Sequence, residues 1–252
     1  MRVWKSAIEW QKHRAADVNA VGFVPTMGAL HRGHAALVER CRSENECAVV
    51  SIFVNPSQFN DPKDLARYPN TLEADLALLE KLGVDDVFVP TAAEMYPQGY
   101  RMKVQPDESY RIMEGLYRPG FLEGVATVVL KLLQIVRPQK AYFGEKDYQQ
   151  LMLIKDLVKE FFLDCEIVPC PTVRAETGLA ESSRNALLPA ATKEKAPLIH
   201  RILVTAKTSS EAASLLEAEG FRLDYVEEHW NRRFCAAFLD GVRLIDNVPL
   251  CS

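Results

Sequence analysis

The run Cys47-Ala48-Val49-Val50-Ser51-Ile52-Phe53-Val54 is nearly continuous in apolar and β-branched residues. That is the pattern of a strand covered by helices on both faces, not of one with a wet side. Asn55-Pro56 stops it. Shorter runs carry the same punctuation: a strand from Val21 that Pro25 ends, Asp86 to Pro90, Ala141-Tyr142-Phe143 ahead of Gly144, and Glu166-Ile167-Val168-Pro169. Between them apolar residues recur at helical spacing, over 33–46, from Thr71 to Leu82 with Thr71 as cap, from Leu122 to Val136, and from Asp147 to about Phe162. Residues 4–15 fit an amphipathic helix only loosely. Strands alternating with helices predict an α/β fold built on a doubly wound, mainly parallel sheet, with ligands at the carboxyl ends of its strands.

Beyond about Arg174 the pattern changes to helices over 190–207 and 210–219, then to a β-rich end over 234–240 and 242–245. This predicts a first domain over residues 1–174 and a smaller α+β C-terminal domain over residues 175–252. A chain of 252 residues buries a core without staples, and its six cysteines contain no C-x-x-C pair, so zinc ribbons and redox dithiols are not suggested. A formal charge of −4 removes any general electrostatic case for nucleic acid or anionic membrane as partner. No segment approaches the roughly twenty apolar residues of a membrane span, and the first residues lack a signal-peptide core, so a cytoplasmic protein with reduced thiols is expected.

Three segments carry chemistry. Pro25-Thr26-Met27-Gly28-Ala29-Leu30-His31-Arg32-Gly33-His34 follows a strand and opens a helix. A small-residue turn lets backbone N–H groups approach an anion, and the helix N-terminus adds its partial positive charge. The imidazoles of His31 and His34 can donate to phosphoryl oxygens, although two histidines three apart on a helix also serve packing, surface hydrogen bonding or a metal. Gly144-Glu145-Lys146-Asp147 follows another strand. Lys146 suits phosphate charge, and Asp147 suits a helix cap, a ribose or Mg²⁺. One turn on, Gln149 and Gln150 follow, and Gln150 offers a small substrate both donor and acceptor. In Glu181-Ser182-Ser183-Arg184-Asn185, two hydroxyls and a guanidinium suit ATP phosphates, and the same residue types suit an N-cap equally well. Asn55 to Phe59 is a rigid turn that places Gln58 for a hydroxyl or carboxylate. Arg118 suits a carboxylate or phosphate, or a surface salt bridge.

Taken in order, these segments resemble the pantoate–β-alanine ligase (pantothenate synthetase) family. The likeness rests on Pro25 to Gly28 with Leu30-His31 and Gly33-His34, on Val50 to Pro56 with Gln58-Phe59, and on Asp64 to Pro69. It continues through Phe143 to Leu151, Gly178-Leu179-Ala180 with Ser182 to Asn185, and Arg243 to Asn247. The resemblance implies a Rossmann-like nucleotidyltransferase domain with a C-terminal lid, a homodimer, and ATP with Mg²⁺. It implies that pantoate attacks the α-phosphate of ATP to give pantoyl adenylate, and that β-alanine then displaces AMP. By matching position, Pro25 to His34 bind ATP, with His34 the proton donor and His31 a second phosphate contact. Gly144, Glu145, Lys146, Asp147 and Val173 hold adenosine and ribose, with Lys146 also near the phosphates. Glu181, Ser182, Ser183 and Arg184 form a phosphate clamp, and Lys146 and Arg184 are electrostatic catalytic groups. Gln58 and Gln150, with Asn55 and Arg118, serve the substrate.

The chain departs from the family pattern at several places. Where the family usually reads Arg-Pro-Gly-His-Phe, this chain has Arg118-Pro119-Gly120-Phe121-Leu122. Thr177 stands at a usual Asp, Glu181 where Met is common, and the segment from Arg184 onward looks shorter than the usual lid. Two other classes stay open: a different H-x-G-H nucleotidyltransferase acting on a phosphorylated acceptor, which would call for basic residues in place of Gln58 and Gln150, and a non-catalytic nucleotide-binding relative.

Overall fold

The computed structural model describes residues 1–16, 20–60 and 62–250, so Cys251 lies outside the described residues. Two compact units make up the chain. The first comprises residues 1–144 and 149–170, and the second residues 145–148 and everything from 171 onward.

Six strands form the sheet of the first unit: β1 (Arg2–Trp4), β2 (Val21–Thr26), β3 (Cys47–Ile52), β4 (Asp86–Phe88), β5 (Lys140–Gly144) and β6 (Glu166–Cys170). Their order is β1-β4-β3-β2-β5-β6, and every pairing is parallel. All six residues of β3 are buried, as a central strand of a doubly covered sheet requires. The chain runs from β2 to β3 and β4 on one side and returns to β5 and β6 on the other. The carboxyl ends of β2 and β5 therefore flank the point where strand order reverses, which is where open α/β sheets bind ligands. Val24, Val38, Val50, Leu79, Val87 and Tyr142 belong to the core beneath it.

Pro25 does not end β2, contrary to the expectation from sequence. The strand runs through it to Thr26, in register with Ser51 and Ile52 of β3. Thr26 turns its carbonyl to β3, where Phe53 N donates to it at 3.0 Å. Pro25, one residue earlier, therefore faces β5, and that ladder has already ended at Phe23–Ala141. No ladder hydrogen bond is lost, which is the condition for proline inside a sheet. Thr71 also departs from expectation: it makes no side-chain cap for the helix Leu72–Lys81, and its hydroxyl goes to Asp75 instead.

The second unit holds an antiparallel sheet, β7 (Arg222–His229), β8 (Arg232–Leu239) and β9 (Val242–Pro249), in that order. Both hairpins turn on two residues with positive φ, Trp230-Asn231 and Asp240-Gly241, as tight turns matching strand twist require. The single helix expected over 190–207 is two helices, Ala190–Lys193 and Leu198–Thr205, because Pro197 lacks the N–H that a continuous helix would use. Ile199, Leu203, Leu216, Phe221, Cys235 and Leu244 belong to the core of this unit.

Candidate active site

In the first unit, the segment after β2 is shaped by backbone geometry that its residues make feasible. Gly28 has φ +80°, and Ala29 follows at φ +50°. Left-handed geometry costs a non-glycine residue about 1–2 kcal/mol, so something must hold Ala29 there. The buried carboxylate of Asp75 does so: it accepts the N–H of Ala29 at 2.9 Å, the N–H of Leu30 at 2.8 Å and the Thr71 hydroxyl at 3.0 Å. Thr26 ties the start of the turn, donating its hydroxyl to Ser51 O at 2.7 Å and accepting Gly28 N–H at 3.2 Å. Asp75 was not singled out from sequence. Its only signal is an acidic residue three positions after Leu72 and next to Leu76, within the stripe of a leucine-rich helix.

His31 is the N-cap of the helix Arg32–Glu44. Its Nδ1 accepts from Gly33 N at 3.1 Å, while Nδ1 of His34 reaches back to His31 N at 3.4 Å. Histidines thus occupy both roles of a capping box, a motif normally built from Ser or Thr and Glu or Gln. The chemical consequence is a tautomer. With each Nδ1 accepting, the hydrogen of each neutral ring sits on Nε2, leaving two N–H donors on rings whose centroids are 4.1 Å apart at the head of a helix. Arg32 and Gly33 complete the first turn of that helix.

After β3, Asn55 caps a 3-10 turn over Pro56–Gln58. Its side-chain oxygen accepts from Ser57 N, from the Ser57 hydroxyl at 2.9 Å and from Tyr96 Oη at 2.7 Å. Its amide nitrogen donates to Gln58 Oε1 at 2.9 Å and to Gly124 O at 3.2 Å. Gln58 is thereby oriented with Oε1 engaged and Nε2 as the donor it can offer an anionic or hydroxyl oxygen. Gly124 is glycine for a steric reason: a Cβ there would lie 2.4 Å from Ser57 O. Arg118 donates to Glu114 Oε2 at 3.2 Å and to Gln58 O at 3.3 Å.

The neighbouring glutamines divide their work. Gln149 is buried, accepting from Glu114 N at 2.9 Å and donating to Ile112 O at 2.9 Å and Tyr110 O at 3.2 Å, so it braces the 110–114 segment. Gln150 is half-buried. At the end of β5, Gly144 has neither a positive φ nor any atom within 4 Å of where a Cβ would be. The fold does not demand glycine there, and open space above a strand end is what close approach of a ligand uses.

In the second unit, Glu145, Lys146 and Asp147 form a 3-10 turn. Asn247 donates to the carbonyls of Glu145 and Lys146, both at 2.9 Å. Asn247 N in turn donates to Asp246 Oδ1, and the Asp246 carboxylate also accepts from Arg174 in a bidentate pair of 2.6 and 2.8 Å. Glu181 N donates to Val173 O at 2.9 Å, so these two predicted residues face each other across the loop that Gly178 turns at φ +91°. Ser182 acts as an N-cap, accepting Arg184 N at 3.2 Å at the head of a 3-10 turn over Ser183–Leu187. Lys146, Ser182, Arg184, Arg243 and Asp246 line one small cavity of about 20 Å³. Of the two cationic groups expected to act electrostatically, both therefore line the same space.

Among the described residues no group of three or more His, Cys, Asp or Glu side chains could hold a metal, and no helix is long and apolar enough to cross a membrane. Burial pushes the thiols of Cys41 and Cys165 up to about 12 and that of Cys235 higher, so they stay protonated near neutrality and are poor nucleophiles.

Comparison with known proteins agrees along the whole chain. The family model for pantoate-beta-alanine ligase matches residues 2–249. A pantothenate synthetase of Bdellovibrio bacteriovorus is 53% identical over 249 residues, covering 99% of each chain, and one from Legionella pneumophila is 46% identical over 253 residues, covering 99% of this chain and 100% of that one. The crystal structure of pantothenate synthetase from Thermus thermophilus superposes with a TM-score of 0.91 at 43% identity, over 98% of this chain and 99% of that one. The enzyme from Francisella tularensis, solved with beta-gamma ATP and beta-alanine, gives a TM-score of 0.94 at 43% identity, over 99% and 97%. Coverage this complete means that the C-terminal segment is about as long here as in these proteins. The chain belongs to the pantoate–β-alanine ligase family.

Proposed function

We propose that this protein condenses pantoate with β-alanine at the expense of ATP, through pantoyl adenylate. A pantoate carboxylate oxygen bonds to the α-phosphorus as the bond to the pyrophosphate oxygen breaks. The β-alanine amine then attacks the acyl carbon, loses a proton, and AMP leaves with the bonding pair. Neither step needs a covalent enzyme intermediate. Both need charge held in place while it shifts between oxygens.

One observation carries the reading of roles: the double Nδ1 acceptance that leaves His31 and His34 as Nε2–H donors at a helix N-terminus. We assign His34 as the proton donor toward the departing pyrophosphate and His31 as a second phosphate contact, with the turn Pro25 to Leu30 and Arg32-Gly33 around ATP. Gln58 Nε2, fixed by Asn55, and the amide of Gln150 take pantoate. Gly144, Glu145, Asp147 and Val173 hold adenosine and ribose. Lys146 and Arg184 neutralise phosphate charge together with Ser182, Ser183 and Glu181. Mg²⁺ would come with ATP and offset phosphate charge, and Asp147, a partly exposed carboxylate 3.9 Å from Lys146 Nζ, would be the residue to help hold it. A homodimer in the cytoplasm is the working assembly.

The decisive assay supplies pure protein with ATP, Mg²⁺, pantoate and β-alanine. AMP, pyrophosphate and pantothenate form together, and AMP release requires both organic substrates. Formation of ADP, or turnover of a phosphorylated acceptor in place of pantoate, would overturn the reading.

A further inference from the structure

The turn that carries Gln58 is poorly secured by its own backbone. Gln58 N to Asn55 O is 3.5 Å and Phe59 N to Pro56 O is 3.3 Å, both at the long end for hydrogen bonds. The added hold on the Gln58 carbonyl comes from Arg118, whose Nη2 donates to it. The Arg118 side chain is only 17% exposed and its partner Glu114 9%, an ion pair taken largely out of water. Such pairs contribute little net stability, so geometry is the more natural reason to bury one. Arg118 also lies face-on to Phe121, with the guanidinium carbon 3.6 Å from the ring centroid.

Phe121 is the first residue of the helix Phe121–Val136, and Gly124, one turn on, is the residue whose missing Cβ lets that helix touch Ser57 and Gln58. One helix end therefore meets the turn twice, directly at Gly124 and through the guanidinium stacked on Phe121. We propose that Arg118 and Phe121 act as a positioning pair for Gln58, with the guanidinium clamped between the Glu114 carboxylate and the Phe121 ring so that it fixes the Gln58 carbonyl and hence its amide. Arg118 then serves the acid substrate through Gln58, and the ring at position 121 supplies a face for stacking. A planar cation is needed for both contacts at once, which lysine cannot make.

The inference rests on Gln58 being the pantoate contact, and the test separates the two. Wild-type turnover of pantoate and the rise in pantoate KM expected of Gln58→Ala are measured first and decide that reading. In the ligand-free protein, Arg118→Lys and Phe121→Leu are then expected to shift the Gln58 side-chain amide signals in NMR spectra, whatever the substrate proves to be. In kinetics, Arg118→Lys should raise the pantoate KM about tenfold, equivalent to about 1.4 kcal/mol, with the ATP KM and melting temperature little changed. Phe121→Leu should move pantoate KM the same way by a smaller factor, and Phe121→His, which keeps a flat ring, should lie nearer wild type. The double variant Arg118→Lys/Phe121→Leu should be no worse than Arg118→Lys alone, because the ring acts only through the guanidinium. Unmoved Gln58 signals, additive effects, or a rise in ATP KM instead of pantoate KM would each overturn the proposal.

Discussion

The Asp75 carboxylate accepts the N–H of Ala29 at 2.9 Å, and that hydrogen bond holds a non-glycine residue at φ +50° beside the histidine pair. The second oxygen takes Leu30 N–H, so both oxygens of one buried carboxylate are committed to two successive amides. Asp75→Asn replaces one acceptor by an NH₂ group facing a donor. Bonds to a charged acceptor are worth about 1.5–3 kcal/mol each, so Asp75→Asn should lower the melting temperature and raise the ATP KM. Ala29→Gly removes the left-handed penalty and should recover part of the lost stability in the Asp75→Asn background. Calorimetry of the four proteins checks this, and equal losses with and without Ala29→Gly would show that Ala29 stores no strain.

His31 caps its helix, and substitution can separate that job from the phosphate contact proposed for it. Asparagine is among the best N-cap residues, so His31→Asn keeps an acceptor for Gly33 N–H while removing the Nε2–H donor. His31→Asn should melt close to wild type yet turn over far more slowly. His31→Ala should lose both turnover and about 1 kcal/mol of stability. Thermal melting alongside steady-state rates of AMP release checks the split. Equal stability of the two variants would mean that the imidazole does not cap.

Much of the first unit could be read from its sequence because each element is signalled locally. β3 is apolar throughout, and the stripe Leu72, Leu76, Leu79 and Leu82 has helical period. β1 was missed because three residues, Arg2-Val3-Trp4, carry no period. β7 is not legible because its pairing slips between Leu223 and Tyr225 and its hairpin turns on Trp230-Asn231, without the glycine found at Asp240-Gly241 between β8 and β9. The histidines, Lys146, Gln58 and Arg184 stand out by chemical type. Asp75, Gln149 and Asn247 do not, since their work is done on backbone amides and carbonyls distant in sequence, and no local pattern encodes such a partner.

In the second unit, His200 supplies a pH dependence with a defined sign. Burial, with Arg174 nearby, holds its imidazole below the usual histidine range. The unfolded chain then takes up this proton first, near about pH 6.5, so unfolding gains as acid is added. Stability from this group is present above that pH, falls as the pH drops, and levels off once folded His200 also protonates. His200→Gln should flatten this segment of the melting-temperature profile, measured from about pH 8 down to about pH 5. The carboxylates held low by their partners, Glu44 by Arg40 and Glu228 by Ser209 and Arg233, act only at more acidic pH. An unchanged profile in His200→Gln would assign the slope to other groups.

Asn247 fixes the backbone on which Lys146 rides. Its amide nitrogen is the donor to both Glu145 O and Lys146 O, and its carbonyl oxygen accepts from Arg232 Nε at 2.6 Å. Asn247→Leu keeps the branching at Cγ and removes three hydrogen bonds, leaving two carbonyls and part of a guanidinium to find other partners. At about 0.5–1.5 kcal/mol for each neutral bond, some stability is lost, and under the role proposed for Lys146 the sharper consequence is for the position from which its ammonium would neutralise phosphate charge. Asn247→Leu should therefore raise the ATP KM several-fold while leaving the pantoate KM near wild type. Asn247→Asp keeps the acceptor for Arg232 and loses only the two donors, so it should reproduce the ATP effect. A normal ATP KM in Asn247→Asp would show that Lys146 is placed by other contacts.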